Sequence, residues 1–561
     1  MIASLSEVVS LGTVFTFLES LSRAEILLSD GSLQPLLSAL RITTQTQLVT
    51  VLALAFILSV IACNGLMILN ISVQTRLAAR VSSDISCSLY RKVMQQPYSF
   101  HTQQNSSDLL QLVTGDTKGL ANTILLPFLM LVANGCKTLA LVVGLFLINW
   151  LVALCAIAIF GTTYVTLYKW RRSLVKRNSR LIVQASQQQI KISQEGLGGI
   201  RDVLISDTQG FFQSAYQQAD NLLRRSVSTN MVVAQTPRYL IEGLAMTMIA
   251  MLALFLGRGG DFSQVVPVLG SLALGANRLL PALQRTFGGM MRIQGSRASL
   301  RRILQALALP LAHYNEKLTA SPSPFCDEIR LDHVSFRYSD NTQWVLEDLS
   351  FVIRANTTVG FVGTTGSGKS TTADILLGLL RPQQGCVLID GTPLQTYAQI
   401  KQWQRCIAHV PQSIFLADST ITENIAFGIS REEIDVERVY HAARLAQIDE
   451  YIRTLPAQYD TYVGERGVRL SGGQRQRIGI ARALYTKASV IVFDEATSAL
   501  DNETEREVMN AIDGLSHQFT IIMIAHRLST LEKCDQVIEF YEGKAISAKS
   551  LEELSSRCLN V

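Results

Sequence analysis

The chain has 561 residues, of which 48% are hydrophobic and 17% charged, and its formal net charge is +5. A chain of this length is too long for one ordinary hydrophobic core, so at least two domains are expected. The small charge excess is better explained by membrane topology than by nucleic-acid binding. Nine cysteines without any C-x-x-C spacing indicate neither a disulfide framework nor a zinc site.

The first half of the chain predicts a membrane domain. It contains apolar segments near the length of roughly 20 residues that a helix needs to cross about 30 Å of hydrocarbon. Six such segments lie near residues 1–18, 47–71, 120–148, 150–168, 239–258 and 262–284. Lys and Arg collect in two long amphipathic stretches between them, which are therefore expected in the cytoplasm as extensions of the second to fifth spans. We expect residues 1–312 to form an all-α, six-helix transmembrane domain.

The first apolar segment lacks the usual lead-in of a transmembrane helix. It begins at Met1, contains Glu7 and has no preceding basic residues, so we expect the true start to lie upstream and this span to be truncated. A cleavable signal peptide is the alternative, but the segment has no positive leading region and no clear small-residue cleavage site.

Two basic residues are expected at membrane depth. At 1.5 Å per residue, Lys137 in the third span lies near the midplane and Arg278 in the sixth lies near the inner leaflet. Because desolvating a charge is costly, both residues are candidates for substrate contact. Pairing inside the helix bundle, or extension of the side chain toward the interface, is the structural alternative.

A polar, Pro-containing linker over residues 313–325 separates the membrane domain from residues 326–561. Beyond the linker, charged residues recur every few positions, and apolar strands alternate with helices. A strand is expected over Ile329–Tyr338. This alternation predicts an α/β domain around a largely parallel sheet.

A glycine-rich loop is the strongest motif of the second half. The apolar run Thr358–Val362 precedes it, and a helix is expected over Thr371–Leu380. Between them stands Gly363-Thr364-Thr365-Gly366-Ser367-Gly368-Lys369-Ser370. In this strand, loop and helix order, backbone N–H groups at the helix start point at phosphate oxygens. We expect Gly363–Thr371 to bind ATP, with Lys369 toward the β and γ groups and the Ser370 hydroxyl on Mg²⁺.

Further motifs surround this loop in a fixed order. They are Tyr338, Val410-Pro411-Gln412, Leu470-Ser471-Gly472-Gly473-Gln474, Val490–Glu495, Ser498–Asp501 and Ile524–Arg527. Together with the phosphate loop, they resemble a half-transporter of the ATP-binding cassette exporter superfamily, over essentially the whole chain. The resemblance implies a multi-domain membrane protein in which the six-helix domain is followed by one α/β P-loop ATPase domain.

The resemblance also implies roles for single residues of the ATPase domain. Tyr338 is expected to stack on adenine, and Gln412 to sense the metal and the attacking water. Asp494 is expected to hold Mg²⁺ through water, and Glu495 to be the general base. His526 is expected to contact the γ-phosphate and to help orient Glu495 or the water.

Ser471, Gly472, Gly473 and Gln474 are expected to open a helix whose N-terminus attracts anions. In the family this motif meets the γ-phosphate that the opposite subunit binds. One chain carries one cassette, so the resemblance implies a dimer. Because none of these motifs is degenerate, a homodimer is favoured over a heterodimer.

The membrane half resembles bacterial flippases of lipid-linked oligosaccharides and polysaccharide or glycolipid exporters, around Thr236–Gly243 and Asn277–Pro281. This likeness implies ATP-driven flipping or export by alternating access in the inner membrane, with the ATPase domain in the cytoplasm. Short coupling elements are expected at Pro97–Gln104 and Asp207–Ala215. The alternatives are a general lipid, drug or peptide exporter, an importer on the same plan, and an ATP-gated channel or regulatory subunit.

Overall fold

The computed structural model describes residues 44–148, 150–257, 280–310, 325–339, 342–495, 506, 518–524, 531 and 534–548. The chain divides into two compact units. The first comprises Met1–Gln96 and Gln103–Leu311, and the second comprises Pro97–Thr102 and Ala312–Val561.

Helices make up the described part of residues 44–310. They are α1 (Gln45–Met94), α2 (Tyr98–Gln103), α3 (Ser106–Leu110), the π-helical segment π1 (Gln111–Asp116), α4 (Thr117–Leu120), a second π-helical segment π2 (Ala121–Leu125), α5 (Leu126–Ile148), α6 (Trp150–Gly198), α7 (Ile200–Ile205), α8 (Gln209–Gly257), α9 (280–295) and α10 (Arg297–Leu307). Both π-helical segments interrupt the stretch that leads into α5.

Helices α1, α6 and α8 are much longer than a bilayer is thick. They have 50, 49 and 49 residues, which corresponds to about 75 Å each at 1.5 Å per residue. The predicted second to fifth spans fall on α1, α5, α6 and α8. Among the described residues, Val49–Met94 and Ser106–Leu139 are long and apolar enough to cross a membrane. The predicted first span and most of the sixth lie outside the described residues.

One predicted coupling element needs correction. Helix α2 lies within the expected range Pro97–Gln104, but residues 207–215 do not form a separate short helix. Asp207 has a φ of +51° and lies in the turn between α7 and α8, and α8 begins at Gln209. The short helix in this part of the chain is α7. Gly199 separates it from α6, and the turn at Ser206 to Thr208 separates it from α8.

The second half of the chain alternates strands and helices. The strands are β1 (Glu328–Phe336), β2 (Leu346–Arg354), β3 (Thr358–Gly363), β4 (Gln384–Ile389), β5 (Thr392–Pro393), β6 (Ile407–Val410), β7 (Val490–Asp494), β8 (Thr520–Ile524), β9 (Gln536–Tyr541) and β10 (Lys544–Ala548). The helices are α11 (Lys369–Leu376), α12 (Tyr397–Trp403), α13 (Ile421–Ile425), α14 (Val436–Leu445), α15 (Asp449–Thr454) and α16 (Gly472–Tyr485). Single 3₁₀ turns lie at Arg431–Glu433, Gln458–Asp460 and Glu465–Gly467.

A six-stranded sheet in the order β10-β9-β3-β8-β7-β6 organises this unit. Strands β9, β3, β8, β7 and β6 are parallel, and β10 pairs antiparallel with β9. Four of the five residues of β7 are buried, as expected for a strand covered on both faces. The carboxyl ends of β3, β8 and β7 lie at one edge, where open parallel sheets bind their ligands.

A second sheet was not predicted from the sequence. Strands β2, β1, β4 and β5 form an antiparallel sheet, and its inner face shares a core with the parallel sheet. Phe351 of β2 contacts Phe361 of β3 and Phe540 of β9, with ring centroids 5.9 and 6.3 Å apart. Alternation along β1 indicates one buried face, but it does not show which strands pair with β1.

Candidate nucleotide-binding site

The phosphate loop connects β3 to α11 through backbone that only glycine adopts easily. Gly366 and Gly368 have φ angles of +84° and +105°, and a Cβ on Gly368 would lie 2.4 Å from Cδ2 of Leu346. Helix α11 begins directly after Gly368, so its first N–H groups face the loop. It ends at Leu376 rather than at Leu380, because Gly378, with a φ of +66°, follows closely.

Lys369 folds back over the loop. Its buried Nζ donates to the carbonyl oxygens of Gly363 and Thr364, at 2.7 and 2.9 Å. Burial lowers the pKa of the Lys369 ammonium, while the nearby carboxylates of Glu495 and Asp494 act in the opposite direction. The ammonium is thus held near two acidic groups at the start of α11.

Two hydroxyl groups of the loop fit an anion and its metal. The Ser367 hydroxyl is buried and has no hydrogen-bond partner among the described residues, and Ser370 is exposed at the first turn of α11. No cluster of three or more His, Cys, Asp or Glu that could hold a metal ion occurs within the described ranges. Mg²⁺ is usually held by one or two protein oxygens together with phosphates and water, so Ser370 and Asp494 fit it as a donor set.

Tyr338 follows β1 and stays half exposed. Its hydroxyl lies 3.2 Å from Oγ1 of Thr371, directly after the phosphate loop, and its ring packs edge-on against Phe336 at 5.1 Å. The contact brings an aromatic face to the loop from the antiparallel sheet. This position is suitable for stacking on a nucleotide base.

Glu495 and Gln412 come together at the end of β7. The Gln412 side-chain amide donates to Oε2 of Glu495, across 83 residues of sequence. Glu495 has a φ of +49°, and its N–H donates to the carbonyl of Ile524 at 3.1 Å. Asp494 precedes it as the last residue of β7. His526 and Ser498–Asp501 lie outside the described residues.

The signature motif begins α16 as a capping box. The Ser471 hydroxyl accepts from the N–H of Gln474 at 3.2 Å, and the Gln474 side chain accepts from the N–H of Ser471 at 2.9 Å. Gly472 and Gly473 supply the first helical N–H groups. The helix is 14 residues long, so its N-terminus carries a substantial positive partial charge.

Comparison with known proteins agrees with this arrangement. The family model for the ABC transporter transmembrane region matches residues 14–259, and the model described as ABC transporter matches residues 346–498. The ATP-dependent lipid A-core flippase of Sodalis glossinidius is 31% identical over 84% of this chain and 80% of its own length. The chain belongs to the ABC transporter family. It is therefore a membrane protein that couples ATP hydrolysis by a cytoplasmic domain to transport of an amphiphilic substrate.

Other relatives match this ABC transporter over a similar length of chain. Flippases of the same name from Saccharophagus degradans and Legionella pneumophila (strain Paris) are 31% and 29% identical, over 85% and 86% of this chain and 80% and 81% of theirs. A bacterial Atm1-family ABC exporter with ATP bound matches at a TM-score of 0.77, covering 99% of this chain and 96% of that one. At 23% identity, the latter likeness shows the fold alone.

Asp374 of this ABC transporter was not singled out from the sequence. It lies on α11, and burial together with the neighbouring carboxylate of Asp494 raises its pKa to about 6. The signal in the sequence is an acidic residue four positions after Ser370, a spacing that places both side chains on one face of the helix. An isolated carboxylate on a short helix does not reveal its burial.

Of the two basic residues predicted at membrane depth, one lies within the described residues. Lys137 lies half-buried on α5, whereas Arg278 lies outside the described residues. The motif around Thr236–Gly243 is on α8, where Pro237 stands inside the helix. Its two charges, Arg238 and Glu242, are 3.8 Å apart on one exposed face.

Proposed function

We propose that this ABC transporter flips a lipid-linked oligosaccharide or a related polysaccharide or glycolipid across a bacterial inner membrane, as a homodimer that uses Mg²⁺ and ATP. The supporting observation is about 30% identity to proteins named lipid A-core flippases, over more than four fifths of the chain. Such an extent includes the membrane half, where substrate is selected, as well as the ATPase half.

The hydrolytic step belongs to Glu495 and Gln412. Glu495 accepts a proton from the water whose oxygen attacks the γ-phosphorus, and the bond between that phosphorus and the β-γ bridging oxygen breaks, releasing ADP and phosphate. The Gln412 amide, which donates to Glu495, holds the carboxylate in position. His526 is assigned to the γ-phosphate by the order of motifs.

The charge of the phosphates is balanced by residues of the loop. Lys369 exchanges its carbonyl partners for β- and γ-phosphate oxygens, and the N–H groups from Gly366 to Thr371 bind the same phosphates. Ser370 and Asp494 are the residues that would hold Mg²⁺, which supplies charge neutralisation between the β and γ groups. Tyr338 positions the adenine by stacking.

The signature motif completes the site of a second copy. The Ser471 oxygen accepts the cap hydrogen bond from Gln474, so the Ser471 proton is free to be donated to a phosphate. The N–H groups of Gly472 and Gly473 add to this anion site. Each ATP is then enclosed between Lys369 of one chain and Ser471 of the other, which requires a dimer.

A phosphate-bearing lipid headgroup suits the basic residues of the membrane half. Arg278 and Lys137 are the proposed contacts, because a guanidinium binds phosphate in a bidentate manner and an ammonium acts as a point charge. A charged side chain at membrane depth is costly unless it faces water, a partner or an anionic substrate.

The test is reconstitution in liposomes with purified lipid A, a lipid-linked oligosaccharide or an unphosphorylated glycolipid as the added probe. We expect the phosphorylated glycolipids to stimulate ATP hydrolysis and to change leaflet, and Glu495→Gln to abolish both effects. Arg278→Ala should remove the stimulation but leave basal hydrolysis. Stimulation by hydrophobic drugs or peptides alone, without any by glycolipids, would favour a general exporter and contradict the proposal.

A further inference from the structure

The chain passes between its two compact units at three places. These are the bonds after Gln96, after Thr102 and after Leu311. The first unit contains, near these places and in the helices that lead to them, polar side chains that bind one another or bind backbone carbonyl groups. We call this set the crossing cluster; its members are the side chains of Lys92, Gln96, Gln111, Asp116, Ser186 and Arg302, with the carbonyl groups of Asp108, Leu307, Leu309 and Pro310.

One part of the crossing cluster joins the end of α1 to the end of α10. Lys92 donates from Nζ to the carbonyls of Leu307 and Leu309, the latter at 3.2 Å. Gln96 donates from Nε2 to the carbonyl of Pro310 at 3.1 Å. The last carbonyls of a helix have no partner within it, so the Lys92 ammonium on the Leu307 carbonyl caps the C-terminus of α10 with a positive charge. Gln96 binds the backbone that follows the helix.

The other part joins π1 to α10 through a buried ion pair. Oδ2 of Asp116, a side chain that is only 2% exposed, lies 3.1 Å from Nη1 of Arg302. Arg302 also donates from Nη2 to the carbonyl of Asp108 at 3.1 Å. Gln111 contacts Oδ1 of Asp116 at 3.4 Å, and Ser186 of α6 donates to Gln111 at 3.1 Å.

The side chains of this cluster pack closely around π1. The side chain of Gln111 fills the space beside Gly115, where an added Cβ would lie 2.5 Å from the Gln111 amide. A π-helical turn inside a longer helix is unfavourable and is found most often at functional sites. A buried ion pair contributes less stability than well-packed apolar side chains would, and its best-attested use is to fix register or to bias a switch.

We propose that the crossing cluster makes α1, α6, π1 and α10 move as one body, so that displacements caused by ATP at the three chain crossings reach the membrane helices together. Asp116 and Arg302 are the positioning residues of this device. The assignment depends on the ATP-driven cycle and not on which lipid is carried. It also explains why a residue of π1 and a residue of α10, far apart in sequence, share a buried charge pair.

The test compares two paired substitutions in full-length protein in lipid nanodiscs. Asp116→Leu with Arg302→Met replaces the buried pair by apolar side chains of similar shape. Asp220→Leu with Arg224→Met replaces an ion pair on α8 in which Arg224 is 77% exposed, and serves as the control. Amide hydrogen exchange is measured with and without ATP and vanadate, in peptides of the ATPase domain and of residues 72–94 and 180–198.

In the wild type and the control, trapping with vanadate should change exchange in both regions. In the Asp116→Leu, Arg302→Met protein, the change should remain in the ATPase domain and be lost from residues 72–94 and 180–198. Basal hydrolysis should stay within about twofold, because the pair does not contact nucleotide. Arg302→Lys, which keeps the charge, should preserve transmission and provides a second test if the apolar pair folds poorly. Wild-type transmission in the apolar pair, or its loss in Arg302→Lys with normal hydrolysis, would overturn the proposal.

Discussion

The backbone of Glu495, the proposed general base, has an unusual conformation. Its φ of +49° is unfavourable for a residue with a side chain, at a cost of about 1–3 kcal/mol. The hydrogen bond from its N–H to Ile524 and the ladder of β7 maintain this conformation. The carboxylate therefore remains directed at Gln412 instead of exploring other positions. The sequence predicts both residues, but not the strained backbone that brings them together.

Replacing Glu495 by Gln should separate binding from hydrolysis. The variant keeps the size of the side chain but cannot accept a proton, so we expect phosphate release to fall by about 10²-fold or more. ATP affinity should change little, since the phosphate loop is unaltered. Steady-state phosphate release and binding of a fluorescent ATP analogue measure the two quantities. Wild-type turnover in this variant would show that Glu495 is not the base.

Two substitutions of Tyr338 distinguish stacking from its hydroxyl contact. Tyr338→Phe loses only the 3.2 Å contact with Thr371, so ATP affinity should stay within about threefold. Tyr338→Ala loses the aromatic face, and ATP affinity should fall by about tenfold, as expected for 1–3 kcal/mol per stacked base. Titration with ATP under non-hydrolysing conditions checks both variants. Equal affinity of the Phe and Ala variants would argue against stacking.

At the scale of elements, the N-terminus of α16 combines two uses of one hydroxyl group. Ser471 caps the helix through Gln474 and is also the proposed phosphate donor. A simple deletion of the side chain would disturb both functions. Aspartate is an equally good N-cap but repels phosphate, so it separates the two.

Ser471→Ala should lower thermal stability, because losing the cap costs about 1 kcal/mol. Ser471→Asp should retain wild-type stability. Both variants should lose most ATP hydrolysis, the first by loss of the donor and the second by repulsion. Unfolding temperature and phosphate release, measured on the same samples, test this. Hydrolysis at the wild-type rate in Ser471→Asp would exclude a phosphate contact.

The stability of α11 should depend on pH through Asp374. Its pKa is raised from 3.8 to about 6, so between these values the folded protein holds a proton that the unfolded chain has released. The free energy of unfolding contributed by this group therefore falls as pH rises through that range. Asp374→Asn removes the cost of keeping an ionised carboxylate partly buried beside Asp494. It should stabilise the nucleotide-free protein at pH 7 by about 1 kcal/mol, allowing for partial exposure.

Unfolding temperatures of wild type and Asp374→Asn at pH 4.5 and pH 7 provide the measurement. The substitution should raise the unfolding temperature more at pH 7 than at pH 4.5. An equal gain at both values would show that Asp374 has no shifted pKa.

Elements whose formation depends on local sequence were predicted, and those that depend on contacts between distant residues were not. Long apolar or amphipathic stretches predict α1, α6 and α8, because helix pattern is local. The sequence of π1 contains no local signal for a π-helical turn. Arg302 donates to the carbonyl of Asp108, just before π1, from 194 residues away, and such a partner cannot be identified from periodicity. The antiparallel sheet was missed for the same reason, since strand pairing is a long-range choice.

For the whole molecule, the order of motifs predicts a dimer as well as the fold of each half. Lys369 and Ser471 both belong to the proposed nucleotide site, and each bound ATP would take one of them from each of two copies. Such a shared site makes hydrolysis a property of the pair, as expected for a dimer with twofold symmetry. Such sharing of the site does not depend on which lipid is carried.

Mixed dimers of two differently tagged variants test this claim most directly. One chain carries Lys369→Ala and the other Ser471→Asp, and ATP hydrolysis is measured after purification through both tags. In the shared arrangement, one of the two sites contains both defects and the other contains none, so the mixed dimer should regain about half of wild-type hydrolysis. Each variant alone should show almost none. A mixed dimer no more active than either variant would contradict the account, because every site would then lie within one chain.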